Sequence, residues 1–79
     1  LFVKKDQIHW IREDLTLKPG ESAVYEARIR YRQPLSKATL VMKENGLYVL
    51  FENAQKGLAS GQFVAWYQGE ECIGSGTIF

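Results

Sequence analysis

Three arginines recur at every second position in one short segment, as Arg28, Arg30 and Arg32. Side chains two apart on a β-strand share a face and lie about 6.6 Å apart, close to the spacing of roughly 6 to 7 Å between adjacent phosphates of a nucleic-acid strand. A guanidinium binds phosphate oxygens through two hydrogen bonds and also stacks on exposed bases. The spacing therefore predicts a basic row that faces a nucleic-acid backbone, with the amide of Gln33 beyond it to reach a base edge or a sugar hydroxyl.

The same row has a second interpretation, as solvated side chains on the outside of a sheet, partly neutralised by Glu26 and by acids on neighbouring strands. Charge rows of this kind are common on solvated sheet faces, so the pattern alone supports both interpretations about equally. Tyr31 alternates with the arginines, and parity predicts that it points inward. If the strand ends there, its ring is free to stack on an unpaired base.

The remaining reactive side chains are isolated. His9 has no ionisable partner near it in sequence, and Cys72 is interpreted as a small buried apolar residue. A single cysteine and a single histidine fall short of a structural zinc set, and no phosphate-binding glycine loop, catalytic triad or metal-binding motif is present. The sequence predicts no catalytic residue, no metal site and no cofactor for this chain.

The elements that would position the arginine row are short strands. Residues 25–32 alternate apolar and polar with period two, which predicts a strand, and Asn45-Gly46 predicts a tight hairpin turn between strands at 38–43 and 47–52. Further segments complete a prediction of an all-β, small closed six-stranded barrel. They are an extended stretch near 7–11 after which Pro19-Gly20 makes a turn, a possible helical turn near 54–58, a strand at 62–67, and a final strand at 72–79. Gly74-Ser75-Gly76 interrupts this last strand, and its absent side chains permit a bulge or close backbone approach.

Composition limits the class of protein. The 79 residues are 46% apolar and 24% charged with a net charge of +1, values typical of one globular domain over residues 1–79. The absence of an initiator methionine and an end within an apolar run led us to expect a fragment of a longer protein. No apolar stretch is long enough to span a bilayer, and one cysteine fits a reducing, cytoplasmic setting without membrane contact.

Several segments resemble the tRNA-specific 2-thiouridylase family, also called MnmA or TrmU. Residues 28–33 are similar to its RIRYRQ segment and residues 49–52 to its V-x-F strand. Residues 60–65 are similar to PGQ-x-x-V/A, and residues 67–78 to Y-D-G-E-x-C-L-G-G-G-x-I. Ser60 and Ser75 depart from the proline and glycine of those patterns, which implies a less rigid loop before Gln62.

The resemblance implies a C-terminal β-barrel like domain two of elongation factor Tu, behind an ATP-pyrophosphatase domain and a central tRNA-binding region. The parent enzyme would use ATP with Mg to adenylate the wobble uridine of tRNA, then insert sulfur from a persulfide donor protein. Its catalytic cysteines would lie outside this chain, so Cys72 is not one of them. The family associates Tyr31, Arg32 and Gln62 with tRNA contact, and Arg30 is added on physical grounds.

The sequence therefore predicts a tRNA-contacting barrel that positions substrate for a distant active site. The alternative is a structural or protein-interaction barrel that braces the catalytic domain of the same chain, with the basic row against acids on that domain. An independent enzyme is the least favoured possibility.

Overall fold

A computed structural model of the chain describes residues 1–79 and consists almost entirely of β-strands. The strands are Phe2–Trp10 (β1), Ser22–Arg28 (β2), Ser36–Lys43 (β3), Gly46–Phe51 (β4), Phe63–Gln68 (β5) and Glu71–Ile78 (β6). They close into an antiparallel barrel in the order β1-β4-β3-β2-β5-β6. Closure pairs the edges of the sheet, and the predicted six-stranded all-β barrel is confirmed.

Period-two alternation builds the barrel core. On β3, Ala38, Leu40 and Met42 point inward and are buried, while the residues between them face outward. Equivalent positions on the other strands complete a single cluster around Trp66, whose side chain is fully buried. The inward residues of six short strands therefore form one apolar core, as the alternation predicts.

The predicted hairpin at Asn45-Gly46 is confirmed, because β3 and β4 pair in register across it. Gly46 has a φ of +151°. A Cβ atom at this position would collide with the backbone oxygen of Val3. The turn therefore depends on glycine both for its backbone conformation and for the close approach of β1.

The final strand agrees with the prediction in part. β6 runs without interruption from Glu71 to Ile78, through the glycines that were expected to break it. As predicted, the absent side chains permit close backbone approach, since a Cβ at Gly76 would lie 2.5 Å from Cγ1 of Val3 on β1. The pairing of β6 with β5 also shifts register between Trp66 and Tyr67, next to Gly74. The absent side chains bring β6 against its neighbour and do not end it.

Two other predictions of secondary structure differ from the structure. β1 spans Phe2–Trp10, longer than the segment expected near 7–11, and residues 54–58 form no helical turn. The helical element is a short 3₁₀ turn over Glu13–Leu15. No helix in the structure has the length and apolar character required to cross a membrane.

The strand that carries the first arginine is shorter than predicted. β2 ends at Arg28, and residues 29–33 form a bend and a turn. Arg30 and Arg32 therefore do not stand in line with Arg28 on one strand face, and the predicted three-arginine row is wrong. Tyr31 does not point inward either, because its side chain is 83% exposed.

Candidate nucleic-acid interface

The side chain of Gln33 accounts for the early end of β2. Its Oε1 accepts hydrogen bonds from the backbone N–H groups of Ile29 at 3.1 Å and Arg30 at 3.4 Å. The backbone N–H of Gln33 also donates to the carbonyl of Arg30 at 2.9 Å, and Pro34 follows. A side chain that satisfies backbone donors locally competes with strand pairing. The amide of Gln33 thus shapes the turn, and the sequence-based expectation that it reaches outward is not met.

Arg28 remains on β2 and is held between two aromatic rings. Its guanidinium carbon lies 4.9 Å from the ring centre of Tyr31 and 4.8 Å from that of Tyr67. Its Nη2 also donates to the hydroxyl of Tyr67 at 3.2 Å. The rings favour the cation through their negative faces and restrict its motion, so Arg28 presents a fixed positive charge at this surface.

Arg30 crosses to the loop between β4 and β5. Its Nη2 donates to the carbonyl oxygen of Gly57 at 3.0 Å, and its Nη1 lies 3.5 Å from that of Lys56. Close by, Nε2 of Gln33 donates to Oε1 of Gln55 at 2.7 Å. These contacts tie the turn at 29–33 to the loop at 52–62, so the two loops form one surface.

Tyr31 and Arg32 occupy the tip of the turn. Both are exposed, and neither side chain makes a hydrogen bond or an ion pair within the domain. The hydroxyl and outer ring face of Tyr31 and the donors of Arg32 are therefore available to a partner. Sequence parity placed Tyr31 inside the barrel because it assumed a strand that the structure ends three residues earlier.

Gln62 precedes β5 in the second of these loops. Its Oε1 accepts a hydrogen bond from the backbone N–H of Ala59 at 2.9 Å, and its carbonyl accepts from Ile78 at 2.7 Å. Its Nε2 makes no hydrogen bond within the domain and remains a free donor. Half of the amide thus holds the loop, which partly replaces the rigidity that a proline in place of Ser60 would supply.

Between the two loops lies a shallow groove. Its lining combines cationic, aromatic and small side chains: Arg28, Ile29, Arg30, Tyr31, Phe63, Ala65 and Tyr67. Phe63, which is 65% exposed, and Tyr67 were missed by sequence reasoning. The signal was present in β5, where Phe63, Ala65 and Tyr67 alternate with buried residues and therefore share the outer face.

The positive charge of this surface is not neutralised by neighbouring acids. The ion pairs of the domain join Arg12 to Asp14 at 2.7 Å and to Glu71 at 2.8 Å, and none involves Arg28, Arg30 or Arg32. Glu26, the expected counter-ion, makes no salt bridge to them. The surface thus brings together Arg30, Tyr31, Arg32 and the loop of Gln62, with Arg28, Tyr67 and Phe63 added, and it can bind a polyanion with exposed bases.

The isolated reactive residues lie elsewhere. Cys72 is half-buried, with its Sγ 3.6 Å from the carbonyl oxygen of Gly74, and is thus more exposed than expected. His9 is exposed on β1 and lines a depression with Asp6, Gln7 and residues of β6. No group of three or more His, Cys, Asp or Glu side chains is placed to hold a metal ion.

Comparison with known proteins assigns the barrel to a family. The model of the aminomethyltransferase beta-barrel domain matches residues 3–78. The chain is 56% identical over 78 residues to the tRNA-specific 2-thiouridylase MnmA of Flavobacterium johnsoniae and 53% identical over 78 residues to that of Christiangramia forsetii, covering 99% of this chain and 20% of each relative. The enzyme of the same name from Karelsulcia muelleri is 49% identical over 76 residues, covering 96% of this chain and 19% of the relative.

The chain thus spans about a fifth of the length of these relatives. The motifs of residues 28–33 and 67–78 predicted the same resemblance, and the comparisons confirm it. The chain belongs to the aminomethyltransferase beta-barrel domain family, in the form that tRNA-specific 2-thiouridylases carry.

Proposed function

We propose that this barrel is the tRNA-contacting C-terminal domain of a tRNA 2-thiouridylase, and that the longer enzyme performs ATP-dependent 2-thiolation of the wobble uridine. The relatives that match almost the whole chain carry the name of that activity. The barrel itself contributes binding and orientation of the tRNA. Phosphate contacts fix the register of a nucleic acid on a protein, so they can act far from the reacting base.

The observation that carries the proposal is the un-neutralised basic and aromatic surface at the end of β2. Arg28, Arg30 and Arg32 lie at this end of β2 without an ion-pair partner, beside the exposed ring of Tyr31. Glu26, the counter-ion that the sequence offered, makes no ion pair with them, whereas Arg12 is paired with Asp14 and Glu71. A surface that leaves them unpaired has its charge available for phosphates.

The residues of this surface have different tasks in the proposal. Arg32 has no internal contact and binds a phosphate directly, while Arg30 binds through its remaining donors and holds the loop of Gln62 in place. Tyr31 offers a ring to an unpaired base. The free Nε2 of Gln62 donates to a phosphate oxygen or to a ribose hydroxyl, which distinguishes RNA from DNA.

The longer enzyme requires partners that this barrel does not supply. We propose a catalytic domain in the same chain, ATP with Mg²⁺ bound there, and a protein that delivers persulfide sulfur. The cytoplasm, where tRNA and ATP are available, is the proposed location. The structure of the barrel contributes to none of these steps beyond holding the tRNA.

The salt dependence of tRNA affinity in the full-length enzyme tests the phosphate contacts. Replacing Arg32 by alanine should reduce the slope of log affinity against log salt concentration by roughly 0.7 to 0.9, the value for one lost phosphate contact. Arg32→Lys should restore most of the slope, since it keeps the charge. Arg12→Ala is the matched control, because Arg12 is engaged by Asp14 and Glu71 and should leave the slope unchanged.

An unchanged slope in Arg32→Ala together with lowered thermal stability would contradict the tRNA contact. That result would favour the alternative function, in which the basic residues meet acids on the catalytic domain and the barrel braces that domain.

A further inference from the structure

Two rows of uncharged side chains lie next to each other on the outside of the barrel. In one row, cross-strand pairing aligns Phe2 on β1 with Tyr48 on β4 and Val41 on β3. In the other, it aligns Leu50 on β4 with Thr39 on β3 and Val24 on β2. All six alternate with buried or half-buried residues of the same strands and therefore point outward. We call these residues the outer apolar face.

Aromatic contacts extend the first row at its end. The rings of Phe2 and Tyr48 lie 4.9 Å apart, and those of Phe2 and Phe79 lie 6.2 Å apart at an angle of 86°. The outer apolar face therefore continues from β2 across β3, β4 and β1 to the end of the chain. This arc covers strands other than β5 and β6.

Charged residues border this face, and one of them, Lys4, places its Nζ over the ring of Phe79 at 4.2 Å from the ring centre. Beyond the first row, Lys4 and Lys43 both lie opposite Gly46. Beyond the second row, Lys37 lies opposite Glu26 and accepts a backbone hydrogen bond from Glu52. An apolar centre depleted of charge and surrounded by a polar rim is the arrangement of a protein interface.

Several side chains of the outer apolar face are strongly exposed. Val24 and Leu50 are 55% and 53% exposed at the two ends of one row, with Thr39 of β3 between them, and Phe79 is 67% exposed. Single apolar residues on a surface need no explanation, but contiguous patches mark sites of association. The outer apolar face therefore has the composition of an association surface.

The size of the face indicates which partner it fits. A stable interface between separate molecules needs roughly 20 to 30 residues on each side, and the two rows offer far fewer. A smaller interface suffices when both surfaces belong to one chain, because the covalent link supplies a high effective concentration. About four-fifths of the length of each relative lies outside the segment that matches this barrel, given coverage of 20%.

We propose that the outer apolar face docks on the remainder of the same enzyme chain, against a surface that is apolar at its centre and acidic where it meets Lys4 and Lys43. This leaves the groove between the β2 turn and β5 free for tRNA. The inference rests on the proposal that the barrel is one domain of a longer enzyme, and it does not depend on the tRNA contact.

Limited proteolysis and X-ray scattering of the full-length enzyme test the docking. In Val24→Glu with Leu50→Glu, cleavage between the barrel and the rest of the chain should accelerate at least about tenfold, since docking would bury unpaired carboxylates. The radius of gyration should also increase. Ile11→Glu is the matched control, because Ile11 is 57% exposed but lies outside the face, and it should behave as wild type.

A second variant shows whether faster cleavage results from undocking or from loss of the barrel fold. Thr39→Arg alters a residue that is already polar, and the near-ultraviolet circular dichroism of the Trp10–Trp66 pair, whose rings lie 5.3 Å apart, reports whether the barrel is intact. Accelerated cleavage with an intact barrel supports the proposal. Cleavage and scattering unchanged in both face variants would overturn it.

The oligomeric state of the enzyme tests whether a second copy of the chain covers the face instead. A wild-type dimer that the face variants convert to monomers, with no looser attachment of the barrel, would overturn the proposal in favour of a second copy of the chain. The salt dependence of tRNA affinity should be unchanged in the face variants. Failure of the docking would therefore be distinct from failure of the tRNA contact.

Discussion

The guanidinium of Arg30 donates a hydrogen bond to the carbonyl oxygen of Gly57 at 3.0 Å and thereby joins the turn after β2 to the loop before β5. The amides of Gln33 and Gln55 form a second link at 2.7 Å. The loop that carries Gln62 is thus held against the turn that carries Arg32. A change in one loop should alter tRNA binding by the other.

Gly57→Ala should release Arg30 from the second loop. Gly57 has a φ of +70°, and an added Cβ would lie 2.9 Å from Nη2 of Arg30, so the flexible guanidinium must move away. The change should lower tRNA affinity of the full-length enzyme severalfold and increase protease cleavage in residues 52–62. Filter binding and mass spectrometry of the fragments measure the two effects.

Gly20→Ala, in the turn before β2, provides the control for this variant. Its φ of +92° imposes comparable backbone strain of about 1 kcal/mol, but an added Cβ meets nothing within 4 Å. It should therefore cost similar stability without displacing Arg30. Equal losses of tRNA affinity in the two variants would mean that backbone strain, and not the Arg30 link, is responsible.

Tyr31→Ala should weaken tRNA binding without reducing stability. The ring is 83% exposed, so removing it costs the fold little. A lost base-stacking contact weakens binding by about 1 to 3 kcal/mol, and the salt slope should stay constant because no charge is removed. Tyr31→Phe should retain most of the affinity. A lower unfolding temperature at unchanged affinity would instead assign Tyr31 to the structure of the barrel.

The barrel fold could be predicted because the alternation of apolar residues and the turn residues agree with the packing of the strands. β3 alternates inward and outward residues, and Asn45-Gly46 fixes the register with β4. β1 was underestimated because residues 4–7 are polar and exposed, and the pairing with β6 shifts register between Val3 and Ile8. Period two disappears where a strand has little of its length against the core.

The geometry of the candidate site could not be predicted from the sequence. The resemblance pointed to Tyr31, Arg32 and Gln62, which the structure places on two neighbouring loops. The end of β2 depends on a side-chain hydrogen bond from Gln33, which competes with strand pairing and leaves no mark in the alternation. The link from Arg30 to Gly57 joins residues far apart in sequence, so no local pattern could indicate it.

Gly74→Ala should destabilise the barrel by about 1 to 3 kcal/mol, as expected for overpacking. An added Cβ would lie 2.7 Å from Cζ2 of the buried Trp66 and 2.8 Å from the backbone oxygen of His9, and neither can yield easily. Urea unfolding followed by tryptophan fluorescence measures the loss. Ser75→Ala, whose side chain points to the other face, should change stability by less than about 0.5 kcal/mol. Similar values for both variants would contradict tight packing of β6 on Trp66.

Acid should remove a stabilising contribution from Asp14. Arg12 donates to both of its carboxylate oxygens, at 2.9 and 2.7 Å, and these hydrogen bonds hold the pKa of the carboxyl below its ordinary value of 3.8. A carboxyl with a depressed pKa in the folded state contributes stability above its unfolded pKa, and loses it as pH falls through the folded value. Asp14→Asn should therefore be less stable than wild type near neutral pH, with a gap that closes below a pH of about 3.8. Urea midpoints measured across this range test the expectation, and high salt should narrow the gap because the pair is exposed.

Glu13→Gln, a neighbouring carboxylate that makes no hydrogen bond to Arg12, should give no such closing gap. A difference between Asp14→Asn and wild type that stays constant with pH would show that the ion pair does not act on folding.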